Sequence, residues 1–110
     1  MEAYAKAKNI RVAAQKARLV VDLVRGKDVN EALAILEYTN KKASPAITKV
    51  IKSAAANAVE NEAAEEDRLY VKEIFVDEGP TLKRYRARAK GQGTLILKRT
   101  CHITCVVDER

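Results

Sequence analysis

The sequence predicts an α+β domain from which a β-hairpin projects, and three observations carry this prediction. Apolar residues recur at helical spacing in three segments of the first sixty residues. Two segments rich in β-branched residues follow, at 69–77 and 94–108. The tract between them, 79–100, contains seven Lys and Arg residues and no acid. We expect the two β segments to pair as one hairpin that carries this basic tract.

The N-terminal segment predicts a strand followed by a helix. Residues 3–8 alternate alanines with Tyr and Lys, the period-two pattern of a strand. A helix is predicted from Gln15 to Arg25, and Gly26 ends it. Its apolar stripe consists of Ala17, Val20, Val21 and Val24. Because Ala13 and Ala14 stand at its start, we expect no side-chain N-cap.

A second helix is predicted from Asp28 or Val29 to Tyr38. Asp28 is a suitable N-cap, and Glu31 stands three residues later, as in a capping box. The residues expected to face inward are Ala32, Leu33 and Leu36. This spacing is that of a helix with one buried face.

A third helix follows, and the sequence leaves its start open. Ser44 and Pro45 fit the N-cap and first helical positions, but the helix could also begin near Lys41. Its stripe consists of Ile47, Val50, Ile51, Ala54 and Ala58. The run 54–56 is all alanine and lets a neighbouring element approach closely. The acidic segment 60–67 is predicted to be a solvated loop.

The β segments Leu69–Asp77 and Thr94–Asp108 are predicted to be the arms of one long hairpin, with a turn at 91–93. Pairing Val76 with Val107 centres the hairpin between Gly91 and Gln92. Arms of about fifteen residues would extend on the order of 50 Å. Since so small a domain has a much shorter core radius, the outer half should project as an arm over 79–100.

Charge is distributed very unevenly along the 110 residues, whose net charge is +6. Residues 1–27 carry +5, residues 28–78 carry −5, and residues 79–100 carry +7. Cations in the arm recur at period two on one strand face, and uncompensated cations repel one another. Phosphates relieve that repulsion, so the pattern favours a polyanionic partner. The N-terminal cluster is less specific and is equally compatible with a solvated surface.

Several functional classes are excluded by what the sequence lacks. It has no phosphate-binding loop, no dinucleotide fingerprint and no metal-ligand spacing, so we expect no enzyme, cofactor, metal or small-molecule substrate. No apolar run reaches the ~18 residues of a membrane span, and no secretory signal is visible, so we expect a cytoplasmic protein with no membrane partner. RNA and DNA remain as partners; anionic lipid is disfavoured because the arm lacks a large apolar face.

The two cysteines flank the single histidine, His102. On a strand, Cys101 and Cys105 share one face and His102 points the other way. Their Cα atoms would lie roughly 13 Å apart, too far for a disulfide. We interpret both thiols as core residues.

Several stretches of the sequence resemble the bacterial type of the large-subunit ribosomal protein twenty-two family. The hairpin motifs are DEGPTLKR at 77–84, RAKG at 88–91, LKRT at 97–100 and HIT at 102–104. The helical segments QKARLVVDLVRGK, YTNKKA and SAAANA, beginning at residues 15, 38 and 53, also match. The resemblance covers essentially the whole chain, whereas a histone-like architectural DNA-binding protein, the alternative, would have a proline wedge at the arm tip.

This resemblance implies a single domain over 1–110, in which three helices pack on a small three-stranded antiparallel sheet with a long projecting β-hairpin. It implies a structural constituent of the large ribosomal subunit that binds large-subunit (23S-type) rRNA and aids early assembly. The hairpin would line the polypeptide exit tunnel near its constriction. The partners implied are the rRNA, neighbouring proteins including large-subunit protein four, and the nascent polypeptide.

Two sets of residues are expected to carry this function. The predicted RNA-binding residues of the arm are Lys83, Arg84, Arg86, Arg88, Lys90, Lys98 and Arg99. Those of the N-terminal region are Lys8, Arg11, Lys16, Arg18, Arg25 and Lys27. The resemblance implies a tunnel-lining tip formed by Ala89, Lys90, Gly91, Gln92 and Gly93.

Overall fold

The computed structural model of the protein describes residues 2–87 and 93–110, and the side chains of these except 84–87 and 93–96. Three helices are described: α1 (Ala14–Val24), α2 (Val29–Glu37) and α3 (Ser44–Glu62). The described strands are β1 (Glu2–Ile10), β2 (Leu69–Glu78), β3 (Leu82–Ala87), β4 (Gly93–Lys98) and β5 (Cys101–Glu109). Arg88, Ala89, Lys90, Gly91 and Gln92 of the predicted arm lie outside the described residues.

The strands form two antiparallel sheets. The larger has the order β1-β5-β2, and β3 pairs with β4 in a separate two-stranded sheet. The apolar faces of the helices and of the larger sheet form one core. The α+β fold class is therefore confirmed, with three helices, a three-stranded sheet and a hairpin. The molecule is elongated, 62 Å in its longest dimension against 26 and 16 Å. Among the described helices, none combines the length and apolar character that crossing a membrane requires.

Helix α1 confirms the predicted stripe. All four of its predicted inward residues are buried, and so is Ala14. Ala13 occupies the N-cap position without a side-chain hydrogen bond, as expected. The helix ends before Gly26, which has a φ of 81°, a conformation that favours glycine. The helical spacing of the apolar residues was sufficient to predict this face, because every residue of the stripe packs into the core.

The capping box predicted for α2 is wrong. Asp28 stands at the N-cap position, but its side chain makes no capping hydrogen bond. Its carboxylate instead forms an ion pair with Arg110, at 3.1 Å between Oδ1 and Nε. A cation from the C-terminus therefore competes with the helix for this carboxylate. Of the predicted inward residues, Ala32 and Leu36 are buried and Leu33 packs against the core.

Helix α3 begins at neither of the two predicted positions. Ala43 is the N-cap and Ser44 is already helical, with Pro45 in the first turn. The Ser44 hydroxyl is buried and has no hydrogen-bond partner among the described residues. The predicted stripe is confirmed, since Ile47, Val50, Ile51, Ala54 and Ala58 are all buried. Ala54 and Ala55 of this helix are buried in the core, and α3 packs on β1 and β5 of the larger sheet.

The segment predicted as a solvated loop, 60–67, is partly helical. Helix α3 continues to Glu62 and a 3-10 turn forms at Glu66–Arg68. The chain leaves α3 through Ala63, whose φ is 52°, and the N–H of Ala64 donates to the carbonyl of Ala58 at 3.2 Å. The acidic side chains here remain exposed, as predicted, because they point away from the core.

The predicted hairpin register is wrong by four residues. Val76 pairs with Ile103 instead of Val107, and this four-residue difference holds from Glu73 to Glu78. Before the register shift between Val71 and Glu73 the difference is five residues, and Val71 pairs with Val107. From Glu73 to Glu78 the shift is by an even number of residues, which leaves every side chain there on the same face of the sheet, so apolar alternation cannot distinguish the two registers over this stretch. The second predicted strand, Thr94–Asp108, is also divided into β4 and β5, with Arg99 and Thr100 between them.

The break between the two sheets forms a fixed elbow. The Thr100 side chain is buried, and its hydroxyl donates to the carbonyl of Pro80 at 2.6 Å. The N–H of Gly79 donates to the carbonyl of Thr100 at 3.0 Å. A Cβ at position 79 would lie 2.5 Å from the Thr100 hydroxyl, so the contact requires glycine. The elbow sets the direction in which β3 and β4 leave the body.

Both cysteines are free and completely buried on the helix-facing side of β5, which confirms their interpretation as core residues. Burial raises the pKa of the Cys105 thiol to about 12. Burial also raises the pKa of Cys101, and the positive charge of Arg18 partly opposes that rise. Both thiols are therefore protonated and unreactive in the folded protein at neutral pH. Among the described residues, no cluster of His, Cys, Asp and Glu could hold a metal ion.

The raised pKa of Cys105 predicts a loss of stability at alkaline pH. A thiol in the unfolded chain ionises near ~8.5, whereas folded Cys105 holds its proton to about 12. Between these values the unfolded state binds fewer protons, so the free energy of unfolding falls as pH rises, by up to ~1.4 kcal/mol per pH unit. Urea titrations from pH 8 to 11 should show a smaller decline in Cys105→Ala than in the unmodified protein. Equal declines would contradict the prediction.

Candidate nucleic-acid interface

Basic residues from three separate parts of the sequence meet in one groove. It lies between the start of α1, the connection from α2 to α3, and the base of the hairpin, and its volume is about 700 Å³. We call it the basic groove. Its cations are Arg11, Lys16, Lys41, Lys42, Lys98 and Arg99. None of the described residues that line it is acidic.

The first side of the basic groove is positioned by the turn between β1 and α1. The N–H of Val12 donates to the carbonyl of Ile10 at 2.8 Å, and the Val12 side chain is buried. This tight turn leaves Arg11 exposed at the end of β1. Lys16 follows in the first turn of α1, where its side chain is exposed beside the buried stripe. Two predicted RNA-binding residues are thereby brought to the same wall.

The second side is the connection between α2 and α3. Ala43 is buried, and hydrogen bonds join the N–H of Lys41 to Thr39 and the N–H of Ser44 to Lys41, at 2.9 and 3.1 Å. The backbone is therefore held in place while the side chains of Lys41 and Lys42 stay exposed. The sequence prediction missed both residues, although a lysine doublet between two helices was the available signal.

The third side is the end of β4 and the elbow. Lys98 pairs with Leu82 across the two-stranded sheet, and Arg99 immediately precedes buried Thr100. Because Thr100 is anchored by its hydrogen bond to Pro80, the two cations that precede it are held against the body. They connect the basic groove to the cationic arm.

The electrostatics of the basic groove favour an anion. No ion pair joins any of its six cations to a carboxylate among the described residues, whereas Arg25, Arg68, Lys72 and Arg110 do form such pairs elsewhere. Six positive charges around one groove repel one another, and no internal acid relieves the repulsion. A polyanion with spaced phosphates would do so.

Arg18 and Arg25, both predicted to bind RNA, donate hydrogen bonds to the edge of β2. The guanidinium of Arg18 donates through Nε and Nη2 to the carbonyl of Val76, at 3.2 and 2.9 Å. That of Arg25 donates to the carbonyl of Ile74 and forms an ion pair with Asp22 at 2.5 Å. The N–H of Gly26 continues the series with a bond to Val71 at 2.9 Å. These donors satisfy carbonyls that an edge strand would otherwise present to water.

We expect Arg18 to contribute mainly to stability and Lys16 mainly to RNA binding. Arg18→Gln should lower the free energy of unfolding by about 1–2 kcal/mol, because a backbone carbonyl loses its charged donor. It should alter affinity for RNA little. Lys16→Gln should lower the affinity for RNA and alter the free energy of unfolding little, since this side chain is exposed in the basic groove. Urea denaturation and RNA titration of both variants check this; similar behaviour of the two in both assays would refute the prediction.

The other predicted residues are not among the described residues that line this groove. Lys8 is exposed on β1, and Lys27 is exposed just after α1. Lys83 pairs with Leu97 in the hairpin, and Arg84 and Arg86 also belong to β3. Arg88, Lys90 and most of the predicted tip fall outside the described residues, while Gly93 begins β4.

Comparison with known proteins gives a consistent result. The chain matches the family described as ribosomal protein L22p/L17e over residues 5–108. It is 59% identical over 110 residues to large ribosomal subunit protein uL22 of Halothermothrix orenii, covering 100% of this chain and 97% of that protein. Identity to the uL22 of Syntrophus aciditrophicus is 56% over the full length of both chains. Identity to that of Lacticaseibacillus casei is 58%, over 98% of this chain and 92% of the relative.

Proposed function

This chain belongs to the ribosomal protein L22p/L17e family, and from this premise we propose that its basic groove and its arm bind the rRNA of the large subunit. As a family member it is a structural constituent of the large ribosomal subunit rather than an enzyme. The observation that carries the proposal is the basic groove, where six cations converge from three parts of the chain and form no ion pair with a carboxylate in the part of the chain that the structure describes.

The geometry of the basic groove supports RNA contact better than a solvated surface does. Solvated surfaces mix charges of both signs, whereas all the charged residues in the described lining of this groove are cations. Arginine offers paired donors to phosphate oxygens, and lysine acts as a flexible point charge. The groove therefore has the chemistry to hold the backbone of an RNA segment beside α1.

The hairpin is part of the same proposal, as an RNA-binding arm that extends away from the body of the domain. In the proposed arrangement, residues 79–100 form the arm of the single domain 1–110, and the arm enters the subunit along the polypeptide exit tunnel. Its tip, 89–93, lies near the tunnel constriction beside large-subunit protein four and contacts the nascent chain. The elongated shape and the elbow at Gly79 and Thr100 support an arm with a set direction.

A salt-wash experiment tests the proposal. The tagged protein is expressed in a bacterial host, and ribosomes are dissociated and sedimented through ~1 M salt. We expect stoichiometric protein in the large-subunit fraction, because in the proposed arrangement the subunit encloses the arm and retains it even where salt weakens the phosphate contacts. An architectural DNA-binding protein, the alternative function, would be removed by the wash. Loss of the protein from the subunits, together with equal affinity for duplex DNA and rRNA, would overturn the proposal.

A further inference from the structure

The basic groove has an apolar floor that its charges do not explain. Leu19 and Leu23 stand four residues apart on α1, away from its buried stripe, and are 68% and 48% exposed. Leu97, at the end of β4, is 46% exposed. All three line the basic groove, with buried Val20 beneath them. Single exposed leucines are ordinary on protein surfaces, but three that line one concave groove form a patch.

The six cations form a rim around the apolar floor, and the two together restrict what the groove can bind. A regular RNA duplex presents phosphates outward and keeps its bases stacked inside, so it would contact the rim and leave the floor in water. An unpaired nucleotide carries both an apolar base and a phosphate on each side of it. The volume of about 700 Å³ lies in the range of pockets that hold small molecules, ~300–1,000 Å³.

The rim residues suit the same occupant. Arg11 and Arg99 have planar guanidinium groups on which a base can stack, in addition to their charge. Lys16, Lys41 and Lys42 can reach the flanking phosphates from two sides, since they belong to different elements of the wall. Charge complementarity therefore favours RNA over an acidic peptide or a lipid. The groove has cations on both sides of an apolar floor, and RNA carries a phosphate on each side of every base.

We propose that the basic groove binds an unpaired nucleotide of the rRNA, with its base on the floor formed by Leu19, Leu23 and Leu97 and its phosphates on the cationic rim. This rests on the proposed rRNA binding and names the RNA feature recognised at that site. The exposed leucines, which are unfavourable in the free protein, are covered when the base enters.

The test compares five RNA stem-loops: one with an uninterrupted stem, and four that differ from it only in one bulged nucleotide, which is A, C, G or U. Anisotropy titrations with the full chain should show at least one bulged RNA bound about fivefold or more tightly than the uninterrupted stem. In the Leu19→Ser/Leu23→Ser variant this preference should disappear, while affinity for the uninterrupted stem and its salt dependence stay unchanged. Val59→Ser, which changes an exposed apolar residue of α3 outside the groove, should retain the preference.

Equal affinity for all five RNAs would overturn the inference, and a steep salt dependence in the same titrations would leave rRNA binding intact. Absence of any RNA binding would refute both. A second measurement uses a photo-crosslinking amino acid in place of Leu23 in assembled large subunits. A crosslink to an unpaired nucleotide supports the inference, whereas a crosslink to a neighbouring ribosomal protein or to paired nucleotides only contradicts it.

Discussion

Neutralising Lys16, Lys98 and Arg99 together is expected to lower the affinity of the protein for rRNA about 10²-fold at ~0.1 M salt. Each phosphate contact contributes ~0.7–0.9 to the slope of log affinity against log salt, because it releases condensed counterions. Three lost contacts should therefore reduce the slope by about 2–3. The three residues were chosen because they belong to two different walls of the basic groove and have no carboxylate partner among the described residues.

The measurement is an anisotropy titration of the Gln variant on an rRNA fragment at several salt concentrations. A control is available on α3, where Lys49 and Lys52 are exposed and lie outside the basic groove. Their replacement by Gln should change the slope by less than one. If the control variant lost as much affinity per charge as the groove variant, RNA binding would depend on net charge and not on the basic groove. Far-UV circular dichroism verifies that both variants are folded.

Ile103→Ala is expected to lower the free energy of unfolding by about 3–5 kcal/mol, the largest single-residue effect on stability that we predict. Ile103 is completely buried on β5, the central strand of the larger sheet, between Ala7 of β1 and Val76 of β2. Truncation removes three buried carbon atoms and leaves a cavity that strands on both sides prevent from closing. A loss of this size is a large fraction of the ~5–15 kcal/mol typical of a domain.

Urea denaturation of the isolated protein measures this effect. Val106→Ala is the matched control, because Val106 lies on the same strand with its side chain half-buried on the opposite face. Its truncation should cost about 1 kcal/mol or less. Comparable losses for the two variants would mean that the helix-facing side of β5 is not the centre of the core.

The helical and strand faces were predictable from the sequence because each depends on residues only a few positions apart. The stripes of α1 and α3 are buried at every predicted position. The two cysteines share the inner face of β5, as a period of two requires. Where a distant residue intervenes, local prediction failed: Arg110 binds the Asp28 carboxylate that the capping box had assigned to α2.

The binding site was less predictable than the fold for the same reason. Charge counting identified the N-terminal cluster and the arm as basic, but it could not indicate which cations would meet. Arg18 and Lys16 are two residues apart in the sequence, yet one holds the carbonyl of Val76 and the other faces the basic groove. Lys41 and Lys42 lie in a segment of net negative charge and were overlooked, although they complete the groove.

Sequence pattern alone thus determined the α+β class, the buried faces, the core thiols and the two basic regions of this protein. Tertiary structure alone decided the four-residue register of β2 against β5, the elbow at Gly79 and Thr100, and the union of Arg11, Lys42 and Arg99 in one groove. The physical reason is the range of the interactions. Periodicity acts over one or two helical turns, whereas register and the basic groove depend on packing between residues as far as 88 positions apart, such as Arg11 and Arg99.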